Sequence, residues 1–307
     1  MTECAPVLML VFNRPAETAR VFEAIRQARP SRLYIAADGP RPNRPGELEQ
    51  CNEVRESVVA VDWPCTLQTL FREENLGCKN AVSGAISWFF EQEPAGIVLE
   101  DDCLPHPDFF PYCSALLERY AEDRRVAMIT GDNFQEGQRR GEAAYYFSRY
   151  PHIWGWASWR RAWQHYQGDL GFWPEWKHSP QWRALFPDHA ERKLWREIFD
   201  RMYAQTIDTW DYCWVASIWY AGGLTVTPNV NLVSNIGFGE GATHTVADSP
   251  FGELPVAALG ELSHPAEVAR DTVADDFVFK HHYGGKDRRW PRRGLTLLGK
   301  LWRRLRT

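Results

Sequence analysis

Between residues 7 and 130 the chain alternates short apolar runs with stretches whose apolar residues recur every three or four positions. Val7-Leu8-Met9-Leu10-Val11-Phe12 is a continuous apolar run of the kind a strand buried on both faces shows, and Asn13-Arg14-Pro15 ends it. Pro15 suits the first turn of a helix, in which Val21, Phe22, Ile25 and Ala28 keep helical spacing until Pro30. Leu33-Tyr34-Ile35-Ala36-Ala37 is a second strand, closed by Asp38-Gly39-Pro40. A Pro/Arg/Asn/Gly-rich loop over 39–46 leads into a helix marked by Leu48, Cys51, Val54, Val58 and Val61. Residues 66–71 alternate as a third strand, and Asn75-Leu76-Gly77 opens a helix that turns Ala81, Val82, Ala85, Ile86, Phe89 and Phe90 inward. Ala95-Gly96-Ile97-Val98-Leu99 is a fourth strand, ending in Glu100-Asp101-Asp102; a helix over 107–123 and a strand over 126–130 follow. Such alternation with short connections predicts an α/β fold with a mixed, mostly parallel twisted sheet flanked by helices. The polar strand ends at Asn13, Asp38 and Glu100 should converge on one rim, where open α/β sheets place their ligands.

From about residue 131 the texture changes. Residues 135–142 are polar and glycine-bearing, aromatics crowd residues 145–176, helices are expected near 188–204 and 209–221, and residues 233–245 read as a glycine-bearing loop. The tail over 286–307 interleaves nine Lys and Arg with Leu and Trp, a basic amphipathic pattern suited to an anionic membrane surface.

Composition narrows the picture. With 44% hydrophobic and 24% charged residues in 307, no disordered class fits, and no run approaches the roughly 18 apolar residues of a membrane span. The first residues lack a leader pattern, so the expected compartment is the cytoplasm, with peripheral attachment to the inner membrane face through the tail. Seven scattered cysteines without a CxxC pair read as free thiols rather than zinc ligands. A net charge of −5 argues against a nucleic-acid partner. Fifteen tryptophans stand out: most are expected in the core, the rest offering flat faces to sugar rings.

Three acids after a strand are a solvated turn or a metal and nucleotide site, and context decides. The segments 6–15, 35–39, 97–102 and Pro107-Asp108-Phe109-Phe110, followed by Trp210-Asp211 and the glycine-rich loop ending Ala242-Thr243-His244, run in order over residues 6 to 245. Together they resemble the GT-A (Rossmann-like) glycosyltransferases, among them the N-acetylglucosaminyltransferase I type, with the nearest texture in bacterial nucleotide-diphospho-sugar transferases. The resemblance implies an inverting, metal-dependent glycosyltransferase that moves a sugar such as GlcNAc from a UDP-sugar donor to a glycan acceptor, for instance a lipid-linked surface polysaccharide. Residues 1–131 would be the nucleotide-sugar-binding half of one GT-A domain, and 132–285 its acceptor and catalytic-base half.

By the same resemblance Asp102 holds Mn²⁺ or Mg²⁺, Asp101 the ribose and Glu100 a donor-sugar hydroxyl. Hard cations take oxygen ligands and keep several waters, so one or two protein carboxylates suffice. Asn13, Arg14 and Asp38 would take the nucleoside, Arg72 with Asn75, Gly77 and Asn80 the donor side, and Thr243 and His244 the phosphates as the loop closes. Asp211 would be the general base, with Asp208 its rival. Asp132, Asn133, Trp154 and Trp156 would face the acceptor. A late His joins the metal in some enzymes of this fold, which draws notice to His281-His282. The chain departs from the type at Asn13, where an acid is frequent. Plainer readings are a helix cap for Asn13, a turn for Asp38 and a helix-dipole partner for Asp211. Two other functions compete. A sugar-nucleotide nucleotidyltransferase would need a glycine-rich phosphate loop where Asn13-Arg14-Pro15 stands, and a non-catalytic carbohydrate-binding protein would need neither Asp102 nor nucleotide.

Overall fold

The computed structural model describes residues 3–238 and 252–288. The first half follows the expected alternation: β1 (Val7–Val11), α1 (Pro15–Ala28), β2 (Arg32–Ala37), α2 (Glu47–Val58), β3 (Thr66–Phe71), α3 (Gly77–Gln92) and β4 (Ala95–Glu100). Pro at the start of α1 and the left-handed Arg29 after it bound that helix as its sequence implies. Leu48 is exposed and Val61 lies beyond α2, so the buried face of α2 is Glu47, Cys51, Val54 and Val58. A three-residue strand, β5 (Cys103–Pro105), comes directly after the acids, and α4 spans Phe109–Arg119, shorter at both ends than expected.

After β6 (Val126–Thr130) come β7 (Tyr145–Ser148) and β8 (Trp156–Trp159), two strands hidden in the aromatic-rich stretch. The short helices α5 (Arg160–Trp163), α6 (Trp173–Trp176) and α7 (Pro180–Leu185) lead to α8 (His189–Tyr203) and α9 (Asp211–Tyr220). β9 (Leu224–Pro228), β10 (Val233–Asn235), α10 (Thr272–His281) and α11 (Gly285–Arg288) complete the described chain. The expected loop over 233–245 is corrected at its start: Val233–Asn235 pairs antiparallel with β5.

Among the described residues one eight-stranded sheet runs β3-β2-β1-β4-β8-β6-β9-β7. β3, β2, β1 and β4 are mutually parallel, as are β6 and β9, whereas β8 and β7 run against their neighbours. The fold is thus a mixed α/β sheet flanked by helices, and strands from both halves of the chain share it. Alternation divides its side chains between two cores. Leu8, Leu10, Val98, Met128 and Trp156 pack with α3, α8 and α9 on one face. Val7, Met9, Ile97, Leu99, Ile129 and Trp159 pack with α1, α2 and α4 on the other. Thirteen of the fifteen tryptophans fall among the described residues and eleven are buried, so this outlier in composition is mostly core.

A buried ionic cluster ties the last helix to the body. Asp275, wholly buried on α10, accepts from Ser148 Oγ at 2.6 Å and pairs with Arg270, while Arg149 pairs with Glu191 of α8. Paired buried charges fix position more than they add stability. Just after α10, His282 lies 4.2 Å from the Phe134 ring and Tyr283 stacks on Tyr150 at 5.2 Å. No described helix is long and apolar enough to cross a membrane. Of the basic tail, residues 289–307 lie outside the described residues, as do Thr243 and His244.

Candidate active site

Because β1, β2 and β4 are parallel, the polar residues that end them leave the sheet on the same side. Asn13, Arg14, Asp38, Glu100, Asp101 and Asp102 line one cleft of about 750 Å³. Its opposite wall is assembled from distant segments: Asp132 and Phe134 after β6, His152 and Trp154 before β8, Asp208 to Tyr212 at the start of α9, and His282 with Tyr283 after α10.

The three acids have different neighbours. Asp101 is nearly buried; its Oδ2 accepts the Phe12 N–H at 3.1 Å and its Oδ1 lies 3.5 Å from Arg14 Nη1. Asp102 Oδ2 is 2.6 Å from the same Arg14 nitrogen, and its Oδ1 is 3.5 Å from Asn235 Nδ2. The chain after β10 folds onto this carboxylate, with Ile236 N–H donating to the Asp102 carbonyl at 2.8 Å. A Cβ at Gly237 would stand 2.2 Å from Asp102 Oδ2, so only glycine fits there. Burial, then Asp102, Asp101 and Asp211, push the Glu100 carboxyl well above the usual range; burial and Asp102 push Asp101 up in the same direction. Three carboxyl groups thus crowd one another around Arg14, and burial with mutual repulsion disfavours charge on Glu100 and Asp101 while no further cation is bound.

Among the described residues no three His, Cys, Asp or Glu side chains gather as a metal cage. A hard divalent ion bound largely through substrate phosphates and water needs no cage. The oxygen donors of Asp102 and the crowding of its two acidic neighbours fit such an ion, with Arg14 now in contact with the oxygen concerned.

The donor-side residues are already interlocked. Asn13 does not cap α1; its Nδ2 donates to Glu47 Oε1 at 3.0 Å, and the buried Glu47 also accepts Arg41 N–H at 2.6 Å. Arg41 lies over the Phe12 ring, 5.5 Å from its centroid. Both oxygens of Asp38 accept from the Leu76 N–H at 3.0 Å, and Oδ2 also takes Gly77 N–H, a brace for the start of α3 that neither the nucleoside role nor the turn reading foresees. Arg72 lines the cleft with Nη1 on the Ala81 carbonyl, and Asn75 lines it while holding Gly39. Asn80 does not line it.

Across the cleft, Asp211 is the first residue of α9, its Oδ1 accepting from Thr209 Oγ1 at 2.5 Å and Tyr212 N–H at 2.8 Å. Asp208 is close by: its Oδ2 is 3.1 Å from where a Cβ on Gly77 would stand. Asp132 and Trp154 face the cleft together, Asp132 Oδ2 accepting the Trp154 N–H at 3.0 Å. Two acceptor-side assignments are corrected. Trp156 is wholly buried, packed on Trp210 and Trp214 at 5.9 and 6.0 Å, and Asn133 staples its loop through the Pro228 carbonyl. The His281-His282 pair separates: His281 meets Glu136, while His282 joins the cleft at 4.2 Å from Phe134, its pKa lowered to about 4 by burial. Phe134, His152, Tyr283 and Arg41 also line the cleft and carried no motif in the sequence.

Comparison of the sequence with protein families finds no match, and comparison with curated proteins finds none either. Among solved structures, the chain is similar to HddC from Yersinia pseudotuberculosis, with a TM-score of 0.33 and 12% identity over 56% of this chain and 86% of that one. It is also similar to a UDP-glucose pyrophosphorylase complexed with UDP-glucose, with a TM-score of 0.25 and 12% identity over 47% of this chain and 62% of that one. Likeness of this degree says nothing of chemistry, which rests on the cleft itself.

Proposed function

We propose that the protein is an enzyme acting on a nucleotide-diphosphate sugar and, within that class, an inverting glycosyltransferase that passes the sugar from a UDP-linked donor to a glycan hydroxyl. The observation that carries this reading is the opposition of two carboxylate groups in one cleft: Glu100-Asp101-Asp102 with Arg14 on the strand-end wall, and Asp211 with Thr209 at the start of α9. Asp102 would hold Mn²⁺ or Mg²⁺, which when bound supplies charge neutralisation to the departing diphosphate. Arg14 and Arg72 add positive charge on the same wall. Asp211 accepts the proton of the attacking hydroxyl, held in place by Thr209. Asp101 and Glu100 are the groups next to the ribose and the sugar. Thr243 and His244 would close over the phosphates, and the segment 286–307 would meet an anionic membrane that carries a lipid-linked acceptor.

A second reading, nucleotidyl transfer to a sugar phosphate, draws on Arg14, Arg41 and Arg72 along the same wall, which suit a longer phosphate chain. Two features speak for glycosyl transfer. The turn after β1 is Asn13-Arg14-Pro15, without a glycine-rich phosphate cradle. The far wall has no Lys or Arg among the described residues to receive a sugar phosphate. The products decide between them: UDP released from a UDP-sugar with Mn²⁺ marks glycosyl transfer, and pyrophosphate released from UTP and a sugar 1-phosphate marks nucleotidyl transfer.

A further inference from the structure

The cations lining the cleft, Arg14, Arg41 and Arg72, all lie on the strand-end wall. Among the described residues the facing wall has none, since burial drives His152 well below its ordinary value and His282 to about 4, leaving both imidazoles neutral. Its middle is aromatic: Phe134 touches Trp154 at 5.5 Å and His152 at 4.6 Å, measured between ring centroids. In this apolar setting sits one carboxyl, Asp132, only 1% exposed. Its Oδ2 accepts the Trp154 N–H, and its Oδ1 has no hydrogen-bond partner. A buried oxygen left without a partner is costly, which makes it a ready place for a ligand's polar group.

We propose that Asp132, through Oδ1, hydrogen-bonds a hydroxyl of an uncharged sugar ring seated against Trp154 and Phe134, and that this wall rejects anionic sugars. The aromatic faces suit the C–H side of a pyranose, and an anionic sugar would meet Asp208 and Asp211 with no opposing cation among the described residues. Burial also pushes the Asp132 carboxyl well above the usual carboxylate range, so this setting disfavours its charge. This rests on the glycosyl-transfer reading and extends it by naming a neutral sugar as the acceptor terminus.

The test uses the full chain with UDP and Mn²⁺, following the binding of methyl β-D-galactopyranoside, methyl β-D-glucopyranoside and glucuronic acid by ligand-observed NMR. A neutral glycoside should bind at least about tenfold more tightly than glucuronate. Asp132→Leu should weaken the neutral glycoside by about tenfold or more, while Asp132→Asn, which keeps a donor and an acceptor, should stay within about threefold. UDP with Mn²⁺ titrated into each chain before any sugar is added reports whether the donor site is folded, independently of the acceptor wall. Absence of UDP binding in the native chain sinks the underlying reading. With UDP bound, the acceptor proposal is overturned by any of three results: glucuronate binding as tightly as the glycosides, no glycoside binding, or equal affinities in Asp132→Leu and the native chain.

Discussion

The two walls of the cleft are built on different principles. The strand-end wall is charged and interlocked: Arg14 spans Asp101 and Asp102, Asp38 braces α3, and Asn13, Glu47 and Arg41 form a chain. The facing wall is aromatic, has no Lys or Arg among the described residues, and keeps the unpartnered Asp132 oxygen. A ligand entering the first wall must exchange contacts already made, whereas the second offers an unmet one. On the proposed function, the first wall would take a charged diphosphate by replacing one ion pair with another, and the second a neutral ring.

Substitutions can break this contrast. Asp211→Asn should lower turnover by about 10²- to 10⁴-fold while leaving UDP affinity nearly intact, which steady-state kinetics and calorimetry separate. The two neighbouring tryptophans should part company. Trp156→Ala, opening the core, should cost about 3–5 kcal/mol in denaturant unfolding, whereas Trp154→Ala should cost far less and act on acceptor affinity instead. Removing the partner of two acids by Arg14→Met should destabilise the protein by about 1–3 kcal/mol, a loss that Mn²⁺ partly restores if Asp102 takes the ion. A further effect is in pH. Burial and Asp102 raise Asp101 to about 7 in the fold, above its unfolded value, so the folded state binds more protons between them. Its contribution to stability is therefore greatest at the acid end of that window and falls as pH rises to about 7. Asp101→Asn should flatten that fall in a series of melting curves.

The strand-end wall was largely legible in the sequence, because a continuous apolar run followed by a polar residue marks both a buried strand and its carboxyl end. Its internal pairing was not: Arg14 and Asp102 are 88 residues apart, and no local pattern joins them. The facing wall was legible only in part. Phe134, His152 and Tyr283 are brought together by tertiary packing, and the Tyr150 and Trp195 rings against which Tyr283 packs lie far from it in the chain. β10 has no signature in the sequence, because three residues before a glycine-rich stretch have the pattern of a loop. The separation of Trp154 from Trp156 has a specific cause. Strand alternation sends residues two apart to one face, but Gly155, at φ 72°, breaks it, so Trp154 stays in the cleft and Trp156 enters the core.

The central claim is that the cleft binds a nucleoside diphosphate together with a divalent cation held by Asp102. Calorimetric titration of UDP with and without Mn²⁺, in the native chain and in Asp102→Ala, tests it most directly. Mn²⁺ should tighten UDP binding at least about tenfold in the native chain and leave the variant's binding unchanged. Equal UDP affinity with and without Mn²⁺ in the native chain, or a full Mn²⁺ effect in the variant, would contradict it.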